Sequence, residues 1–246
     1  MKAAPEVQKR LLDLAELDSA LDRLAHRRRT LPELAEIDDQ SRRYAKLATE
    51  VIEAETEAGD LAREQTKAEA DVDTVRTRID RDQKRLDSGA VSSARDLSGL
   101  QSEITSLHRR QGDLEEVVLE IMERREAADA RVTGLLARRD EVRTTLSAAE
   151  ARRDTALADI DKETGEVRSR RAAVAEEIPA DLLKLYEKLR EQYGVGAAML
   201  QAGRCQGCKV ALSIAEMNHI KSAAADEVLR CEECRRILVR TDASGL

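Results

Sequence analysis

Residues 37–86 read "IDDQSRRYAKLATEVIEAETEAGDLAREQTKAEADVDTVRTRIDRDQKRL". With Ile37 as a heptad a position, the a set is Ile37, Tyr44, Val51, Ala58, Gln65, Val72, Ile79 and Leu86. The d set is Gln40, Leu47, Ala54, Leu61, Ala68, Val75 and Asp82. Twelve of these fifteen positions are apolar, where a chain that is 41% hydrophobic would place about six there by chance. The register runs without a stutter, and it predicts one arm of a coiled coil.

The segment that follows predicts a sharp reversal. Within "LDSGAVSSARD", Gly89 can take the positive φ that closes a helix, and Ser93-x-x-Asp96 has the spacing of a capping box. A second heptad register starts at Leu97 and holds to Val174, with seventeen of twenty-three a and d positions apolar. Its polar exceptions are Gln111, Arg125, Arg139, Arg153, Glu163 and Arg170. At 1.5 Å per residue this arm spans on the order of 120 Å. A link as short as 87–93 makes the arms antiparallel, and tethering favours pairing within one chain. A dimeric four-helix arrangement is the alternative.

Upstream, Leu14, Leu17, Leu21 and Leu24 form a short heptad that lengthens the first arm, and Pro32 divides it from the seam at Ile37. Downstream, Pro179 ends the second arm. "ADLLKLYEKLREQYG" then predicts a short helix with Leu182, Leu185, Tyr186 and Leu189 on one face, stopped at Gly194. The GVG of 194–196 lacks the preceding strand and third glycine of a dinucleotide loop and reads as a hinge.

Composition agrees with this frame. The 246 residues include no Trp, no Phe and three Tyr, are 37% charged, and carry a net charge of −7. So few aromatics suit long helices with one apolar seam better than a wide core. The acidic balance points to no polyanionic partner for the chain as a whole. No stretch approaches the roughly 20 apolar residues of a membrane span, and the N-terminus has no apolar signal core. The expectation is a cytoplasmic protein with reduced thiols.

The four cysteines fall at the far end, in "CQGCKVALSIAEMNHIKSAAADEVLRCEEC", 205–234. In a reducing compartment, two Cys-x-x-Cys steps 22 residues apart read as metal ligands rather than disulfides. Cys205, Cys208, Cys231 and Cys234 supply four thiolates for one tetrahedral Zn²⁺. Four thiolates leave no open coordination position, so the expected zinc is structural. His219 lies between the steps and reads as an ordinary helix residue. Ser213-x-x-Glu216 predicts a capped helix over 214–221, and "DEVLRCEECRRILVR" a β-hairpin around the second step. A segment of about forty residues buries too little to fold alone, and metal binding closes that deficit.

The basic residues Arg204, Lys209, Arg230, Arg235, Arg236 and Arg240 cluster near the steps and are the expected partner-binding set. The ribbon holds no aromatic residue on which a base could stack. Phosphate contact by these arginines and a solvated basic face remain equally open readings. No nucleophile stands beside a base, no acid–base pair converges and no metal position is open, so no enzyme is expected.

The tip "SGAVSSARDLSGLQSEITSLHRRQGDLEEVVLEIMER" and the tail "YGVGAAMLQAGRCQGCKVAL…VLRCEECRRILVR" together resemble the bacterial C4-type zinc-ribbon proteins with an N-terminal coiled-coil hairpin. Gly89, Val91, Leu97, Leu100, Glu103, Ile104 and Leu107 carry the tip resemblance. It implies an elongated helical hairpin, zinc on the four cysteines and no catalytic activity. Members of that family are linked to protein partners in secretion or flagellar systems, to chaperone-like roles and to nucleic-acid binding. Three positions depart from the family pattern. Arg235 stands where Gly often follows the last cysteine, Leu212-Ser213 replaces a Leu-Pro, and Asp87 replaces an aromatic before the tip glycine.

The expected architecture is therefore mainly α, a long antiparallel coiled-coil hairpin with a small C-terminal zinc ribbon. Its expected divisions are a hairpin over 1–178, a connecting helix and hinge over 179–196, and the ribbon over 197–246. The expected function is a non-enzymatic adaptor or chaperone-like protein that binds a macromolecular partner through the ribbon, with the tip as a second contact. Regulation through RNA or DNA is the alternative. A protein partner comes first, nucleic acid second, with no membrane and either a monomer or a homodimer.

Overall fold

The computed structural model describes residues 1–246 and consists of long helices forming a hairpin, followed by a small ribbon. In chain order the helices are α1 (Pro5–Arg29), α2 (Pro32–Asp87), α3 (Ala94–Glu176), α4 (Ala180–Tyr193) and α5 (Ile214–Ser222). The strands are β1 (Ala197–Gln201), β2 (Arg204–Cys205), β3 (Leu229–Arg230) and β4 (Ile237–Val239). The chain divides into two compact units, one of Met1–Leu34 with Ala151–Leu246 and one of Ala35–Glu150.

In the unit of residues 35–150, α2 and the first part of α3 pair in the expected register. All fifteen a and d positions of the first arm are buried or half-buried. Val51 and Ala54 pack with Leu135, flanked by Leu47, Val132 and Leu136. Arg131 meets Glu57 at 2.9 Å, Arg76 meets Glu115 at 2.6 Å, and Arg78 pairs with Glu103, so numbers fall on one helix as they rise on the other. That is an antiparallel pair. These flanking ion pairs are exposed and each contributes about 0–1 kcal/mol, so the apolar seam holds the arms together. At the turn Gly89 has the expected positive φ, 65°, and α3 opens directly after Ser93, with Leu97 N donating to Ser93 O at 3.0 Å; the expected side-chain capping box of Ser93 and Asp96 does not form. One seam position is anomalous. Asp82 is 4% exposed, and its Oδ2 has no hydrogen-bond partner although Arg78 Nε lies 3.8 Å away.

In the other unit the expected heptad changes. Glu163 and Arg170, expected at d, are exposed, and the covered row runs through Ile160, Thr164, Val167, Arg171, Val174 and Ile178. The cause is a third helix. Here α3 packs Ile160 and Val167 on Leu24 and Leu31, and brings Val174 to a core shared by α1 and α4. Covering two helices requires a wider stripe than a two-stranded seam.

The ribbon sheet has the order β2-β1-β4-β3. Strand β1 is antiparallel to β2 and parallel to β4, and β3 is antiparallel to β4, so the hairpin expected around the second cysteine step forms. Ala202 and Gly203 both have positive φ, the conformation of a tight two-residue hairpin between β1 and β2.

The ribbon is not a separate body, which differs from the divisions expected at 178 and 196. Ile237 and Val239 of β4 and Ala197 of β1 share one core with Leu11 and Leu14 of α1 and Leu182, Tyr186 and Leu189 of α4. The N-terminus pairs with the chain leading into β3: Ala3 N donates to Asp226 O at 2.7 Å and Val228 N to Met1 O at 3.1 Å. Gln8, 3% exposed, donates to the Ala3 and Ala225 carbonyls. A small sheet with one apolar face must bury it somewhere, and α1 and α4 supply the surface. Gly196 is required by this contact, because a Cβ there would lie 2.7 Å from the Tyr186 ring. The expected hinge is a close-packed crossing.

Candidate metal centre and ribbon surface

Each cysteine step is one tight turn, and the two turns repeat the same hydrogen bonds. In the first, Lys209 N donates to Cys205 O at 2.8 Å and Cys205 N to Val210 O at 3.1 Å. In the second, Arg235 N donates to Cys231 O at 2.9 Å and Cys231 N to Arg236 O at 3.0 Å. The residue after each second cysteine is left-handed, with φ of 63° at Lys209 and 62° at Arg235. A non-glycine residue in that conformation costs roughly 1 kcal/mol, which the surrounding turn must offset. Gly207 is there for space, since a Cβ would lie 2.9 Å from Ala198 Cβ.

The turns bring all four sulfurs within 4.8 Å of one another. Across the site, Cys205 Sγ and Cys234 Sγ are 3.7 Å apart, and Cys208 Sγ and Cys231 Sγ are 4.0 Å apart. A tetrahedron with Zn–S bonds of about 2.3 Å has edges of about 3.8 Å, whereas a disulfide needs about 2.05 Å. The donor set and its spacing fit one structural zinc. Cys205 and Cys231 are buried and Cys208 and Cys234 half-buried, packed with Leu200, Ile220, Leu229 and Leu238.

Without the ion, protons hold the two buried thiols, Cys205 and Cys231. Burial pushes Cys231 up to about 12 and raises Cys205 as well. Burial also acts on Cys234, but the backbone N–H and guanidinium of Arg236 and the neighbouring thiols outweigh it and hold that thiol below its ordinary value. Zinc must therefore displace protons to bind. The expected helix between the steps is present as α5, with the full capping box of Ser213 and Glu216. Glu216 Oε1 also accepts from Glu232 N at 3.3 Å, joining α5 to the second turn. His219 is an exposed residue of α5, outside the cysteine cluster.

The six basic residues separate into two groups. Arg240 donates to the carbonyls of Ala223, Ala224, Ala225 and Glu227 and so closes the C-terminal end of α5. Arg236 donates to Val195 O and Tyr193 O and lies over the Tyr193 ring at 5.9 Å. Both are spent on the fold. Arg230 Nε is engaged by Arg235 O at 2.9 Å. Arg204, Lys209 and Arg235 are exposed, with only Gln206 beside Lys209 Nζ. Val210, which follows Lys209 in the first cysteine turn, is 42% exposed and Ile214, at the start of α5, is 83% exposed, apolar groups that the sequence reading did not single out.

A second polar centre was also missed. Asp18 of α1 is wholly buried, accepting from Tyr186 Oη at 2.6 Å and Arg171 Nε at 2.6 Å, with Arg190 Nε at 3.0 Å. Arg171 also reaches Glu187 at 2.6 Å. Its hydrogen bond to Asp18 raises the Arg171 pKa, and burial with the Asp18 bond raises that of Tyr186. A signal existed: Leu11, Leu14, Ala15 and Asp18 have helix-face spacing, and an acid on an apolar face needs a partner.

Comparison with known proteins gives the family. Residues 14–194 match the CT398-like coiled coil hairpin domain, and residues 204–238 match the C4-type zinc ribbon domain. A solved Mycobacterium smegmatis structure is 37% identical, with a TM-score of 0.87, covering 98% of this chain and 100% of that one. CT398 from Chlamydia trachomatis shares the fold at 20% identity and a TM-score of 0.68, covering 96% of this chain and 98% of its own. An uncharacterized protein of Mycobacterium tuberculosis H37Rv is 39% identical over 87 residues, which is 35% of this chain and only 36% of that relative's length. No helix of this chain is long and apolar enough to cross a membrane. With its hairpin and its four-cysteine centre both matched, the chain belongs to the CT398-like coiled-coil hairpin family with a C4-type zinc ribbon.

Proposed function

We propose that the protein is a non-enzymatic cytoplasmic adaptor that docks a protein partner on the face of the ribbon beside the first cysteine turn. The observation that carries this reading is the exposure of Val210 and Ile214 on the chain leaving the first cysteine turn, which also carries the solvent-facing Arg204 and Lys209. An apolar anchor rimmed by basic groups suits an acidic protein segment with one or two apolar side chains. The zinc holds that surface in one shape, whereas the repetitive flanks of the arms offer weak positional specificity. The tip around Gly89 is the second contact. Phosphate binding is the weaker reading, because Arg236 and Arg240 are occupied by carbonyls and the ribbon has no stacking aromatic. Closed coordination of the metal leaves no site for metal-assisted chemistry.

The test pairs Arg204→Glu with Ile214→Asp and captures partners from nuclease-treated lysate. Neither residue is a zinc ligand, so zinc content and helical signal should stay unchanged while a specifically captured protein is lost. Capture that is abolished by nuclease, or that falls steeply with salt, would replace protein docking with nucleic-acid binding. Capture unaffected by the pair but lost with Gly89 or Ser92 variants would move the contact to the tip.

A further inference from the structure

Beside the Asp18 centre, α1 and α3 leave a groove of about 710 Å³ lined by Leu21, Leu24, Ala25 and Ile160 below and by Arg28, Arg168, Arg171 and Arg190 around it. The volume lies within the roughly 300–1,000 Å³ of small-molecule sites. We propose that this groove binds a phosphorylated small molecule, its phosphates held by Arg168, Arg171 and Arg190 and its body resting on the apolar floor.

Three features support this. First, the guanidiniums are fixed with donors to spare. Arg171 and Arg190 turn their Nε groups to Asp18, which orients them, and Arg190 Nη2 and Arg171 Nη1 have no protein acceptor. Arg168, one helix turn away from Arg171, is exposed and has no carboxylate partner. Second, Thr164 lines the groove with an unspent hydroxyl. Each of the ten other threonines of α2 and α3 donates to the carbonyl four residues back, as Thr155 does to Ala151 O at 3.0 Å, and Thr164 does not. Third, the groove wall contains Gly165 in mid-helix, where a Cβ would meet nothing within 4 Å. A glycine there costs helix stability relative to alanine, and its absent side chain widens the groove.

Charge selects the ligand class. Asp161 is paired with Arg28, Asp18 and Glu187 are taken up by Arg171 and Arg190, and Asp22 also lines the groove. Asp22 opposes any anion, so a ligand must engage several donors at once. A multiply charged phosphate can accept from Arg168, Arg171, Arg190 and Thr164 together. Arginine suits this task because its planar fork gives paired N–H groups to phosphate oxygens.

The experiment is calorimetric titration of the full zinc-loaded chain with pyrophosphate and, separately, ATP, both without magnesium and against a chloride control at matched ionic strength. Saturable binding of pyrophosphate is expected, weakened at least tenfold by Arg168→Gln and abolished by Gly165→Leu, which fills the groove while leaving the helical signal intact. Equal affinity for the two ligands supports a phosphate site alone; tighter ATP supports use of the apolar floor as well. Absence of saturable binding by the parent, or binding that both variants retain, overturns the proposal.

Discussion

Replacing Asp18 by Asn is the most direct test of how the base of this protein holds together. The substitution keeps shape and removes one charge at a position with no solvent exposure. Arg171 and Arg190, only 19% and 28% exposed, lose the carboxylate that both contact, and Tyr186 Oη loses a charged acceptor at 2.6 Å. Glu187 still reaches Arg171, so part of the compensation survives. Removing one partner of a buried ion pair costs about 3–5 kcal/mol, and the retained Glu187 contact puts the expectation near 3 kcal/mol. With a urea m-value of about 2 kcal/mol/M, the midpoint should fall by about 1.5 M. The chain has no Trp, and two of its three tyrosines, Tyr186 and Tyr193, lie in this unit, so tyrosine fluorescence reports its unfolding. Tyr186→Phe removes only the hydroxyl bond and should cost about 1.5 kcal/mol, with the double variant less than additive because the two groups touch. The loss should persist in added salt, since a wholly buried carboxylate is little screened. A cost below about 1 kcal/mol for Asp18→Asn would refute the view that this charge organises the junction of α1, α3 and α4.

Cys231→Ser should abolish zinc binding and release the ribbon. Because Ile237 and Val239 also belong to the α1–α4 core, hydrogen exchange should speed up in α1 and α4 as well as in α5, while α2 stays protected; unchanged protection in α1 and α4 would show the ribbon to be separable. Zinc affinity should fall as pH falls, because buried Cys205 and Cys231 hold protons in the metal-free chain; displacing at least these two protons gives about 100-fold or more per pH unit near neutrality, read by chelator competition, and a slope below about tenfold per unit would contradict the burial argument. Asp82→Leu should stabilise the arm pair by about 1–3 kcal/mol in thermal unfolding, since a buried acid without full compensation gives way to an apolar d residue; a destabilised variant would mean that Arg78 and Arg81 compensate that charge fully.

The arms and the metal ligands were legible in the sequence because their physics is local and periodic. A heptad repeats every two turns whatever lies elsewhere in the chain, so the residues at 37–86 and 97–160 display their buried face directly. A Cys-x-x-Cys step is one turn, and two such steps define a tetrahedral donor set before any tertiary contact is known. Gly89, Gly194 and the Ser213 cap were readable for the same reason. Tertiary structure decided the rest. Periodicity does not say how many helices cover a stripe, so the shift from Glu163 and Arg170 to Thr164 and Arg171 appears only once α1 and α4 are packed on α3. Composition does not say where a long side chain turns: Arg236 and Arg240 look as free as Arg235 until their carbonyl acceptors are in place. Asp18 meets Tyr186 and Arg171 from more than 150 residues away, and the ribbon sheet meets α1 from the opposite end of the chain. Such contacts depend on which buried faces find each other in space, and sequence spacing carries no record of that.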